Sequence, residues 1–205
     1  MVLFFPGISF FAADPAAVII FSAFQELIRI LTYIIPALGL LWYLILEKKS
    51  LSLHSGEFRA GKKDFYVLFW GFPGLILTGA GVSLLMTQFS ATGVPPAVAG
   101  PSNIQGWIIV ILSCAGTGYL EESFFRFYLL QKLRDWVPYR PAKMLFAVLL
   151  FTLCHAYEGP WGMLNAALAG LLLSILFEKY KTLHGIAWAH AFYNVFIYVY
   201  GSIGG

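Results

Sequence analysis

Charge is what this chain has least of. Charged residues make up 11% of its 205 residues, against about 25% in a soluble domain. With 60% hydrophobic residues beside that scarcity, an ordinary soluble globule is excluded. The chain reads as an integral membrane protein whose length suits a single membrane domain, residues 1–205, rather than two domains. Cysteine is nearly absent. Cys114 and Cys154 both fall in apolar runs, where they read as small buried hydrophobes and imply no disulfide framework. Met1–Phe11 contains no basic residue, so a cleaved signal peptide is not expected. No long internal repeat is visible. The net charge of +3 comes from basic residues that have a topological explanation, so no nucleic-acid partner is implied.

Apolar runs are what the chain has in abundance. Six of them read as spans: Leu27–Leu46, Phe65–Met86, Gly106–Gln131, Met144–Tyr157, Trp161–Glu178 and His184–Tyr200. The expected fold is an all-α polytopic bundle of about six transmembrane spans. Residues 1–26 are apolar but broken by Pro6, Gly7, Asp14 and Pro15. They read as an interfacial or re-entrant piece or an imperfect span, which would bring the count to seven or eight helical segments. Pro36 marks a kink, and Gly71, Gly74, Gly79 and Gly81 suit close helix approach. Aromatics, at 18%, suit interfacial belts.

Lys and Arg set the orientation. They gather in the segments 47–64, 132–143 and 179–183, whereas 87–105, 158–160 and the tail carry none. The positive-inside rule places the three basic segments in the cytoplasm and the C-terminus outside.

Glu121, Glu122 and Arg126 stand inside one apolar run. A charge near mid-bilayer costs roughly 2.5–3.5 kcal/mol, so such residues are rare and usually functional. Two further spans carry polar groups, Phe151-x-x-x-His155 and His190-x-x-x-Asn194. Counted at about 1.5 Å per helical residue, Glu121, His155 and Asn194 lie roughly 15 Å from the cytoplasmic ends of their spans and His190 roughly 9 Å. One hydrated pocket opening toward the cytoplasm accommodates them. Glu122 and Arg126 are i and i+4 and can pair as ions. Glu121 is turned about 100° away and is free to act as general base, with His155 holding the same water. His190 and Asn194 are also i and i+4 and can both aim N–H donors at a developing oxyanion. Together these groups describe amide hydrolysis.

Glu121-Glu122-Ser-Phe-Phe-Arg126, Phe151-Thr-Leu-Cys-His155 and His190-Ala-Phe-Tyr-Asn194 resemble, in order, the EExxxR, FxxxH and HxxxN motifs of the CAAX-protease and bacteriocin-processing (abortive-infection) family. The resemblance covers roughly 105–200, which becomes the catalytic core. It implies an intramembrane glutamic endopeptidase that cuts near the C-terminus of a membrane-attached or lipidated protein. It also implies that Glu121 and His155 activate water, that His190 and Asn194 form the oxyanion hole, and that Glu122 and Arg126 support them. Many members have Gly after the motif Arg; here Phe127 would crowd what packs there and narrow the pocket. No cofactor is expected. A zinc site from Glu121, His155 and His190 is the open alternative, although H-E-x-x-H is missing. Other functions that such intramembrane groups could serve are a proton- or ion-coupled transporter and a non-catalytic immunity or regulatory membrane protein. Glu178 reads as solvated, His184 as interfacial and His54 as a loop residue.

Overall fold

The computed structural model describes residues 19–49, 58–89 and 98–204; His54 and most of the 1–26 segment lie outside that set. The described chain is almost wholly helical. It comprises α1 (Ala23–Leu46), α2 (Lys62–Phe89), α3 (Ile104–Glu122), a π-helical segment (Ser123–Leu129), α4 (Leu130–Trp136), α5 (Arg140–Cys154), α6 (Gly159–Tyr180) and α7 (Leu183–Gly204). The only extended pairing among the described residues is a two-residue parallel ladder, β1 (Ile19–Ile20) with β2 (Val98–Ala99).

All six expected spans form helices, with shifted ends. Lys62, Lys63 and Asp64 open α2 instead of closing a loop, and Lys132 and Arg134 sit on α4. α3, the π segment and α4 run on as one rod of 33 residues. That rod is roughly 50 Å long, more than the roughly 30 Å of hydrocarbon. Four helical stretches are long and apolar enough to cross a membrane: Ala23–Leu46, Lys62–Phe89, Ile104–Trp136 and Ala156–Tyr180. α5 falls short because it has 15 residues, about 22 Å. α7 has 22 residues, but its apolar run is interrupted by His184, His190 and Asn194.

Burial orders the bundle. The long α3 rod is 61% buried across its apolar window and α1 only 17%, so α3 is central and α1 peripheral. α3 packs against α1 on one side and α7 on the other, and α7 packs in turn against α2. Leu44, Val67, Phe127, Leu173, Phe177 and Ile186 belong to the main core. Phe24, Ile35, Trp42, Phe69 and Leu77 face outward, as lipid-facing side chains do. Glycine permits close approach of α3 to both of its neighbours. A Cβ on Gly116 would stand 2.7 Å from Ile34 of α1, and one on Gly118 would stand 2.7 Å from the Ala187 carbonyl of α7. Gly71, Gly74 and Gly79 likewise meet neighbouring helices, whereas Gly81 meets nothing within 4 Å.

The start of α7 is capped by a distant residue. Asp64 is 1% exposed. Its Oδ1 accepts from the Gly185 N–H at 2.7 Å and from the Thr182 hydroxyl, and its Oδ2 accepts from the Gly61 N–H at 2.7 Å. One carboxylate thus satisfies amides at the beginnings of α2 and α7.

Candidate active site

Glu121 and Glu122 are the last two residues of α3, and the backbone then widens into the π segment. Such single wide turns are frequent at functional sites. Glu121, Glu122 and Arg126 are 6%, 0% and 1% exposed. The expected ion pair is present: Arg126 Nε lies 3.2 Å from Glu122 Oε2, and Nη1 donates to Oε1 at 3.2 Å. Nη2 donates to the Gly170 carbonyl of α6 at 3.1 Å. The guanidinium also lies 4.7 Å from the Phe151 ring centroid of α5. Arg126 therefore fastens the motif helix to both α5 and α6.

His190 approaches from α7. Its Nδ1 is 2.8 Å from Glu122 Oε1, and its Nε2 is 3.9 Å from Glu121 Oε2. A carboxylate paired with Arg126 can only accept, so Nδ1 carries a proton and Nε2 is the nitrogen turned toward Glu121. This differs from the expected geometry. The His190 Nδ1–H is committed to Glu122, leaving only Nε2 available for another partner. Asn194 is half-buried on the same helix face one turn on, and no hydrogen bond ties its side chain among the described residues. Glu121 Oε2 is buried without a hydrogen-bond partner among the described residues. Such an orphan is costly in a structural role and calls for a functional explanation.

His155 is not on a helix. α5 stops at Cys154, and His155 caps its C-terminus with φ −102° and ψ 13°. Its Nδ1 donates to the Phe151 carbonyl at 2.8 Å, so Nε2 holds the free lone pair. Phe151 is the hub the spacing did not explain. Its ring centroid is 4.5 Å from that of His155, 6.4 Å from that of His190 and 5.0 Å from that of Phe125. All three motifs therefore meet around Phe151.

Residues 103–196 match the family model described as type II CAAX prenyl endopeptidase Rce1-like. The likeness to that family thus covers the C-terminal part of the chain. The matched stretch runs from the Asn103 cap of α3 into α7 and takes in all three motifs. α1 and α2 precede it. No curated protein and no solved structure matches the chain.

Several side chains in and around the Rce1-like segment differ from expectation. Phe127 is fully buried in the main core, 4.8 Å from Phe177 and 5.5 Å from Phe58 by ring centroids; it fills space between helices. Glu178 is half-buried and paired with Lys143 at 3.5 Å and Lys181 at 3.1 Å, not solvated. His184 is half-buried too. Its Nδ1 meets the Tyr119 hydroxyl at 2.7 Å and its Nε2 the Phe58 carbonyl at 3.2 Å, while Trp188 Nε1 donates to Tyr119 at 3.0 Å. Among the described residues no group of three or more His, Cys, Asp or Glu is gathered to hold a metal ion. Glu121, His155 and His190 do not form such a set. Asn165, which the motifs do not include, donates to Tyr193 beside Asn194 at 3.3 Å.

Proposed function

We propose that the chain is an intramembrane glutamic-type endopeptidase acting near the C-terminus of a membrane-attached or lipidated protein. The observation that carries this reading is the buried Glu121 oxygen, without a hydrogen-bond partner among the described residues, 3.9 Å from the outward nitrogen of His190. The Rce1-like match supports the reaction class. The Glu121 carboxylate takes a proton from water, and the hydroxide adds to the scissile carbonyl carbon. The free Nε2 of His155 orients that water. His190 and Asn194 donate to the resulting oxyanion. For this role both ring nitrogens of His190 must carry protons, because the Nδ1–H is already given to Glu122. Glu121 then returns its proton to the leaving nitrogen as the C–N bond breaks, leaving a carboxylate and an amine. Glu122 and Arg126 hold His190 and the motif helix in place. The site opens toward the cytoplasm and the C-terminus lies outside, in keeping with the distribution of Lys and Arg.

The test uses purified protein in bilayers with a fluorogenic farnesylated CAAX peptide and its geranylgeranylated and non-lipidated counterparts. Glu121→Gln and His155→Ala should each lose turnover by about 10²- to 10⁴-fold. Full turnover in either variant overturns the mechanism. Inhibition by a chelator that added zinc reverses would replace it with metal chemistry.

A further inference from the structure

α1 lies wholly before the Rce1-like segment, yet it carries a partly buried ion pair aimed at the two helices that hold the site. Arg29 Nη1 donates to both oxygens of Glu26 at 3.2 and 3.4 Å and to the Tyr198 hydroxyl at 3.2 Å. Arg29 Nε and Nη2 donate to Thr117 Oγ1 at 3.4 and 3.3 Å. Glu26 accepts from Tyr198 at 2.7 Å and from the Ser113 hydroxyl, and Thr117 donates to the Ser113 carbonyl at 3.0 Å. Each partner sits on a stripe of the site itself. Ser113, Thr117 and Glu121 follow one another at i, i+4 and i+8 along α3. Tyr198, Asn194 and His190 do so along α7 in the opposite direction, and residues four apart share a helix face.

α1 follows α3 as far as Glu121. Gly116, one residue before Thr117, lies against Ile34 and Tyr33. Tyr33, one turn beyond Arg29, packs with Leu120, the residue before Glu121.

We propose that Arg29 is a positioning residue for Glu121. It grips α3 through Thr117, one turn before Glu121, and α7 through Tyr198, two turns beyond His190, and so sets the Glu121–His190 separation from outside the family segment. The proposal rests on the reading of Glu121 as the base.

Thr117→Val tests it, because valine keeps the shape of threonine but offers Arg29 no acceptor; Tyr198→Phe breaks the second grip. Two readouts are needed. With the farnesylated fluorogenic peptide, each variant should lose about 10- to 100-fold in kcat with KM within about twofold, and Thr117→Ser should restore turnover. By infrared spectroscopy, the Glu121 carboxyl band, assigned as the one lost in Glu121→Gln, should move in Thr117→Val and return in Thr117→Ser. A purely structural network would lower the melting temperature and leave that band in place. An unmoved Glu121 band in both Thr117→Val and Tyr198→Phe overturns the proposal, whatever the turnover. If the wild-type protein does not cleave the peptide, the endopeptidase reading fails, and the band still decides whether Arg29 positions Glu121.

Discussion

Two buried carboxylates in this molecule live under opposite conditions. Asp64 has hydrogen-bond donors on both oxygens, from Gly61, Thr182 and Gly185. Glu121 has a buried oxygen with none among the described residues. The contrast extends to their neighbours. Ser123 Oγ, two residues on, is likewise buried without a hydrogen-bond partner among the described residues. Satisfied polar groups rigidify a fold, and unsatisfied ones cost it stability. Asp64 therefore marks a place built for structure, whereas the proposed role of Glu121 as base makes the motif turn a place where stability is given up for chemistry.

Substitutions can sharpen or break that contrast. The largest effect is expected at Glu121→Gln: turnover of the farnesylated peptide falls about 10²- to 10⁴-fold with the melting temperature in detergent unchanged or raised. A melting temperature that falls instead would place Glu121 with the structural carboxylates. Next is Arg126→Met, which leaves Glu122 buried without its cation and should cost about 3–5 kcal/mol of stability, read by denaturant titration in mixed micelles. Asp64→Ala strips one carboxylate from the Gly61, Thr182 and Gly185 donors and should cost about 1–3 kcal/mol. In the fraction that stays folded, KM and kcat should match wild type; a selective loss of kcat would tie the cap to the reaction. The smallest effect is expected at Glu178→Gln, whose partly exposed pairs with Lys143 and Lys181 are worth about 0–1 kcal/mol, seen as a slight drop in melting temperature.

The six helices were legible because a bilayer demands long apolar runs and internal backbone pairing. The Glu122–Arg126 pair was legible because four residues on a helix bring side chains together. Helix ends were misplaced where charged residues such as Lys62 and Lys132 begin or prolong a helix. The departure of His155 from α5 was not visible, since Cys154-His155-Ala156 carries no Gly or Pro to signal a stop. Arg29 with Thr117 and Asp64 with Thr182 escaped notice for another reason. Their partners are far apart along the chain, and only packing joins them. The commitment of the His190 Nδ1–H to Glu122 likewise depends on how α3 meets α7.

The wide turn from Ser123 to Leu129 has a consequence for how the motif could change. A π turn holds one more residue than an ordinary helical turn, so it acts as a phase shift of about 100° between the two halves of one rod. Removing the exposed Phe124 would let the rod close into a regular helix and would draw Arg126 one position nearer to Glu122. Every apolar run would survive such a deletion, and hydropathy would still read six helices. Arg126 would no longer line up with Gly170, Phe151 and Glu122 at once, and a chain one residue shorter would keep the bundle and lose the alignment at its centre.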